Sequence, residues 1–146
     1  MKKKYNKGDK MASFKSLEEA REFFKADKFA TSNGAQIDEL TEDTCQCSMV
    51  LQDIHRNAYG GVMGGVIFTL ADFSFAVLSN QIHQLTVAQQ VSINYLSAPK
   101  GDKLIGKAYC KKTGRNSSII NVDILDDTGR DIAQFIGTGF KLDINL

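Results

Sequence analysis

Two hydrophobic periods divide the chain. From Thr44 to Ile54, Cys45, Cys47, Met49 and Leu51 face one way and Gln46, Ser48 and Gln52 the other. That two-residue period predicts a half-buried strand. Ala35 to Leu40 predicts a shorter strand before it, with a turn at Glu42-Asp43. Val87 to Leu96, Leu104 to Lys111, Ser117 to Leu125 and Ile132 to Leu142 are further strand segments, rich in β-branched and aromatic residues. Pro99-Lys-Gly-Asp102, Thr113-Gly-Arg-Asn116 and Asp126-Asp-Thr-Gly129 supply the turns between them. Gly137 and Gly139 in the last strand allow a bend or close packing.

Helical spacing appears in two places. Ser16-Leu-Glu-Glu19 has the form of a capping box, and Leu17, Ala20 and Phe24 follow at helical intervals. The expected helix runs from about Leu17 to Ala26, with a turn or short helix over Asp27 to Asn33 ended by Gly34. The second place is longer. After a turn holding Gly60, Gly61, Gly64 and Gly65, an apolar run extends from Val66 to Leu78. Ile67, Phe68, Leu70, Ala71, Phe73, Phe75, Ala76, Val77 and Leu78 cover most of a helix circumference. A helix apolar all round is buried in a core or a membrane. A span needs roughly 20 apolar residues, and this run is shorter with Asp72 at its centre. It is therefore expected to be a core helix. Antiparallel strands joined by short turns around one buried helix make an α+β domain.

Asp72 is the exception within that helix. A buried carboxylate is costly unless paired or hydrogen-bonded. It can be a structural group, bonded to a hydroxyl such as that of Thr69 or surfacing at a helix edge. It can also be a carboxylate tuned for base or nucleophile work. The glycines offer a matching half-site. The first N–H groups of a helix lack partners within it and carry the positive end of its dipole. Aimed at a carbonyl oxygen, they form an oxyanion hole; the plainer reading is a tight turn. Gly64 and Asp72 are eight residues apart, so they differ in height by roughly 12 Å and in azimuth by roughly 80°. If both act on one carbon, the carboxylate comes from a second subunit, and a two-fold dimer would create two shared sites.

Composition narrows the remaining classes. A chain of 146 residues fits one domain. The net charge of +1 argues against nucleic-acid binding through bulk charge. Lys2, Lys3 and Lys4 are not followed by the apolar core of a signal peptide. Residues 1–12 are expected to be a disordered basic segment, leaving 13–146 as one domain in the cytoplasm, away from membranes. Three cysteines make no disulfide framework. With two histidines and no repeated Cys-x-x-Cys, no metal site is expected. Cys45, Cys47 and Cys110 are expected to be buried free thiols in a reducing compartment.

At Asn57, Gly60, Gly64, Gly65 and Asp72 the sequence resembles the hot-dog-fold thioesterases of the phenylacetate-degradation (PaaI-like) type. Their pattern is approximately Asn-x-x-Gly-x-x-His-Gly-Gly, with Asp eight residues after the first glycine of the pair. Val91 to Asp102 is similar to the family's strand and following turn, and the likeness covers roughly Phe23 to Asp143. It implies a hot-dog fold: a curved antiparallel β-sheet wrapped around a long central helix, preceded by an N-terminal helix. It also implies hydrolysis of an acyl-CoA thioester, aromatic or of short to medium length, to free acid and coenzyme A. Gly64 and Gly65 would form the oxyanion hole, Asp72 would be general base or nucleophile, and Asn57 would orient the water or the leaving thiolate. Coenzyme A would be part of substrate and product, with no separate cofactor. A homodimer with shared active sites, paired into a tetramer, would be the assembly.

Two departures bear on substrate and rate. Met63 stands where the family usually has His, and Gln90 where related enzymes often carry Ser or Thr. Gln89 and Gln90 are expected on opposite strand faces. Both Met63 and Gln90 are candidate substrate contacts, as is Arg115, whose guanidinium could grip a phosphate through two parallel hydrogen bonds. Lys100, Lys111 and Lys112 are weaker candidates for the same task. Phe23, Phe24 and Phe29 are candidate walls of the acyl pocket. Met63 also favours the rival reading, an acyl-CoA-binding hot-dog protein without turnover. A dehydratase would need a histidine base, and His55 is the candidate near the loop. His83 is expected to be a loop or cap residue.

Overall fold

A computed structural model describes residues 13–143; the basic segment 1–12 and residues 144–146 lie outside it. Two short helices lead, α1 (Leu17–Phe24) and α2 (Lys28–Ser32). Strands β1 (Gln36–Leu40) and β2 (Thr44–Val50) follow. The long helix α3 (Gly64–Ile82) comes next, and then β3 (Thr86–Tyr95), β4 (Lys103–Thr113), β5 (Ser117–Asp126) and β6 (Asp131–Lys141).

The six strands form one sheet in the order β1-β2-β4-β5-β6-β3, with every neighbouring pair antiparallel. Alternation decides which side chains meet α3. Cys45, Cys47 and Met49 of β2 pair in register with Ala108, Gly106 and Leu104 of β4. Ile120, Val122 and Ile124 of β5 and Phe135 of β6 complete that buried face. Burying a large apolar side chain contributes roughly 1.5–3 kcal/mol, so this face holds the helix. Helix and sheet come unusually close at Gly137. A Cβ there would lie 2.6 Å from the Phe75 ring, so only glycine admits α3 at this distance. Gly137 thus serves close packing, one of the two roles expected of it.

Several expected boundaries shift, each for a visible reason. β2 ends at Val50, not Ile54, because residues Asp53–His55 form a 3-10 turn. The Gln52 N–H donates to His55 Nδ1 at 3.0 Å and closes that turn. α3 continues past Leu78 for another turn because its polar end is bonded. Asn80 Oδ1 accepts from Thr86 N, and Gln81 Oε1 accepts from Phe14 N. α1 stops at Phe24, two residues before the expected end. Its cap forms much as expected: Ser16 Oγ accepts from Glu19 N, while Glu19 reaches back to Lys15 N. By length and composition alone α3 could cross a membrane, but most of it is buried within the domain.

Candidate active site

A small hairpin delivers the chain to α3. Arg56 and Val62 form an isolated antiparallel bridge, and Met63 N donates to His55 O. Asn57 closes the tip: its N–H donates to Gly61 O, and its Oδ1 accepts from Tyr59 N and Gly61 N. Gly60 sits at φ +81°, where a side chain would be strained. The Asn57 side-chain oxygen is therefore engaged within the loop that positions the helix start.

His55 anchors the base of the hairpin. Its ring is fully enclosed, with Nδ1 accepting from Gln52 and Nε2 without a partner among the described residues. A ring enclosed and engaged this way is a brace for the loop. His83 lies at the other end of α3, where its Nε2 meets Gly114 O at 3.0 Å and ties the helix to the β4–β5 turn.

The N-terminus of α3 is uncapped. Met63 occupies the cap position and makes no side-chain cap hydrogen bond. Among the described residues no group accepts from Gly64 N or Gly65 N. These are the unpaired, dipole-aligned donors that an oxyanion hole requires. The Met63 side chain is 53% exposed and reaches over Gly65, where its Cε would meet an added Cβ at 2.8 Å. The Tyr95 ring packs beside Gly64, and its hydroxyl donates to Gly64 O at 3.1 Å. Sequence reasoning missed Tyr95, since nothing in its strand pattern signals a contact 31 residues away.

Asp72 lies on the one incompletely covered stripe of α3. Gly65, Phe68, Thr69, Asp72 and Ala76 recur at helical spacing and are each partly or fully exposed, while the opposite faces are buried. Thr69 does not pair with the carboxyl: its hydroxyl donates to Gly65 O instead. Asp72 borders a cleft of about 240 Å³ with Asp27, Phe29, Ala30, Phe68, Thr69 and Phe73. Burial, and secondarily the negative charge of Asp27, raise its pKa above the ordinary carboxylate value. Phe29 is 72% exposed at the rim, Phe24 packs edge-on against Phe73, and Phe23 packs on Phe24 farther from the cleft. Asp27 too was missed, because it is 45 positions from Asp72 in the sequence.

The remaining candidates are apart from this group. Gln90 is exposed on β3, the edge strand of the sheet. A register shift between Ala88 and Gln90 breaks the strict alternation expected there, and Gln89 and Gln90 are both exposed. Arg115 is exposed in the β4–β5 turn, beside the C-terminal end of α3. Gly64 is at the opposite end of that 19-residue helix, roughly 28 Å away at about 1.5 Å per residue. One chain therefore does not bring Gly64, Asp72 and Arg115 together. Cys45 and Cys47 are buried free thiols with their sulfurs 3.5 Å apart, whereas Cys110, also free, is only partly buried because it lies near the outer end of β4. Among the described residues no cluster of potential metal ligands occurs.

Known proteins match this architecture. The sequence profile of the thioesterase superfamily matches residues 59–133. A relative from Archaeoglobus fulgidus, whose name gives esterase activity only provisionally, is 32% identical over 120 residues, covering 82% of this chain and 78% of that protein. The acyl-coenzyme A thioesterase PaaI of Escherichia coli is 24% identical over 131 residues, covering 89% of this chain and 94% of that protein. Its solved structure aligns with a TM-score of 0.79 at 22% identity, over 87% of this chain and 96% of that one, which shows the hot-dog fold. A hypothetical thioesterase protein from Streptococcus pneumoniae, crystallised with coenzyme A, aligns with a TM-score of 0.73 at 29% identity, over 80% of this chain and 94% of that one.

Proposed function

The chain belongs to the thioesterase superfamily as a PaaI-like hot-dog thioester hydrolase, and from that premise we propose a specific site and reaction. The substrate is an acyl-CoA whose acyl group is aromatic or of short to medium length. Asp72 carries the reading: it is the sole ionisable residue of α3, it lies on the helix's open stripe, and no group among the described residues donates a hydrogen bond to it.

The thioester oxygen rests against Gly64 N–H and Gly65 N–H of one subunit. Asp72 of a second subunit takes a proton from water as the water oxygen adds to the carbonyl carbon. The negative charge that builds on the carbonyl oxygen is met by the helix-end amides. Collapse of the tetrahedral species breaks the carbon–sulfur bond. The thiolate leaves as coenzyme A and recovers the proton from Asp72. In the alternative sequence Asp72 adds to the carbonyl and expels the coenzyme A thiolate, and water then opens the resulting anhydride at the Asp72 carbonyl carbon, releasing the free acid. A single turnover in ¹⁸O-water separates the two, since only the anhydride route places solvent oxygen in the Asp72 carboxyl.

Phe29, Phe68 and Phe73 give the cleft beside Asp72 an aromatic wall suited to a compact acyl group. The solved relative holding coenzyme A supports a coenzyme A ester as substrate. Asn57 fixes the loop geometry that aims Gly64, and its amide nitrogen remains available to the water or the leaving thiolate. Arg115 of a facing subunit serves the coenzyme A phosphates. Dimers built on the open α3 stripe complete the sites, and pairs of dimers form the tetramer. The reaction needs no resident cofactor.

Thiol release from phenylacetyl-, hydroxybenzoyl- and hexanoyl-CoA tests the proposal. Release from at least one ester, lost in Asp72→Asn while ester binding persists, supports it. Binding without release in the wild-type chain would make this an acyl-CoA-binding protein and end the hydrolytic reading.

A further inference from the structure

We propose that Asp27 is a positioning residue for the reaction, setting a second carboxylate beside the α2–α3 cleft to act electrostatically on Asp72. The inference rests on the assignment of Asp72 as the reacting carboxylate. Asp27 occupies the N-cap position of α2, where an Asp side chain ordinarily accepts a hydrogen bond from the helix's first N–H groups. Here its side chain makes no such bond; its backbone N–H donates to Phe24 O, and its backbone oxygen accepts from Thr31 N and Thr31 Oγ1. Asp27 instead lines the same cleft as Asp72, near enough for its charge to act there. A capping group that does not cap, set beside a partly buried carboxyl, forgoes the usual stabilisation from an N-cap.

The surroundings leave Asp27 as the charge that matters to Asp72. α3 itself carries no other ionisable side chain. Lys28, the neighbour of Asp27 on α2, is exposed and does not line the cleft. On α1, Arg21 pairs with Glu18, Lys25 pairs with Glu22, and Glu19 accepts from Lys15 N. The strands packed on α3 present the thiols Cys45 and Cys47 from β2, the Tyr95 phenol from β3, bonded to Gly64 O, and Asp38 from β1, whose charge acts on Cys45 and is not among the causes acting on Asp72. Burial is the larger cause of the raised pKa of Asp72, and Asp27 adds to it. A more basic carboxylate accepts a proton from water more readily, as long as it stays ionised at the working pH. Asp27 thus trades activity in acid for a stronger base near neutrality.

The experiment uses the full chain as wild type, Asp27→Asn and Asp27→Glu. The Asp72 carboxyl carbon is titrated by ¹³C NMR, identified by its absence in Asp72→Asn, alongside the pH profile of kcat. In Asp27→Asn the Asp72 midpoint and the acidic limb of kcat both move to lower pH, and Asp27→Glu returns both toward wild type. An unmoved midpoint in Asp27→Asn overturns the inference. So does an equal displacement in Asp27→Glu, which would assign the effect to packing instead of charge. If no variant releases thiol at any pH, the NMR midpoint still decides the inference, and the hydrolytic reading fails separately.

Discussion

Asp72 and Asp126 are both withdrawn from solvent, and the chain treats them in opposite ways. Asp126 is 1% exposed at the end of β5. It accepts from Lys100 N, Gly101 N, Thr128 N, Thr128 Oγ1 and Arg130 N at 2.6–3.1 Å. Burial alone would raise its pKa, but the Thr128 hydroxyl and the backbone donors outweigh that and hold it far below the ordinary carboxylate range. Asp72 has no such donors, and burial with Asp27 pushes it the other way. A carboxylate whose lone pairs are all satisfied holds the fold together. One left uncompensated on an open helix stripe, as Asp72 is, fits the base or nucleophile proposed for it, at some cost to the fold.

The sharpest way to break this contrast is to neutralise each group in turn. Asp72→Asn is expected to lower kcat for thiol release by about 10²–10⁴-fold, the usual contribution of a positioned acid–base group. Its stability moves the other way. A carboxyl whose folded pKa is raised destabilises the fold as pH climbs from its unfolded value, about 3.9, through the raised folded value. Asp72→Asn should therefore melt no lower than wild type at pH 7, with its relative gain shrinking as pH falls toward 4. A clear loss of melting temperature at pH 7 would make Asp72 a structural residue.

Asp126→Ala should do the reverse. It strands several backbone donors and is expected to cost about 2–3 kcal/mol in urea unfolding, with kcat per folded molecule unchanged. Because the folded pKa of Asp126 is depressed, its contribution is present above the unfolded value near 3.9 and fades as pH falls below it. The Asp126→Asn chain should lose that acid dependence, measured as the slope of stability between about pH 4 and pH 2. Next in size, Arg115→Glu should raise KM for an acyl-CoA several-fold with kcat little changed; an unaltered KM removes Arg115 from the site. Tyr95→Phe deletes one bond to Gly64 O and is expected to cost about 0.5–1.5 kcal/mol, with a small fall in kcat if that bond steadies the α3 start.

The strands after α3 were legible in the sequence to within a residue or two because strand composition and turn chemistry agreed at every junction there. The long helix was legible as a buried element, though its last turn was not. Gln81 to Leu85 reads as a connection, and only the bonds of Asn80 to Thr86 and of Gln81 to Phe14 show why the helix runs on to Ile82. β2 misled for the opposite reason: Leu51 and Ile54 extend an apolar pattern that the Gln52–His55 turn interrupts. At the site, the motif residues Gly64, Gly65 and Asp72 stood out because glycine pairs and a lone acid are conspicuous in an apolar run. Tyr95 and Asp27 did not, since their roles depend on distant segments meeting. Asp126 appeared only as a turn residue, because a hairpin sequence does not reveal that its carboxylate also gathers Lys100 and Gly101 from the β3–β4 loop.

The most direct test is a crystal structure of the assembly with a non-hydrolysable acyl-CoA analogue. The account predicts the thioester-equivalent oxygen within hydrogen-bond distance of Gly64 N or Gly65 N of one subunit, and the Asp72 carboxylate of another facing the same carbon. An analogue bound with Asp72 turned to bulk solvent, or with both groups supplied by one chain, would contradict it.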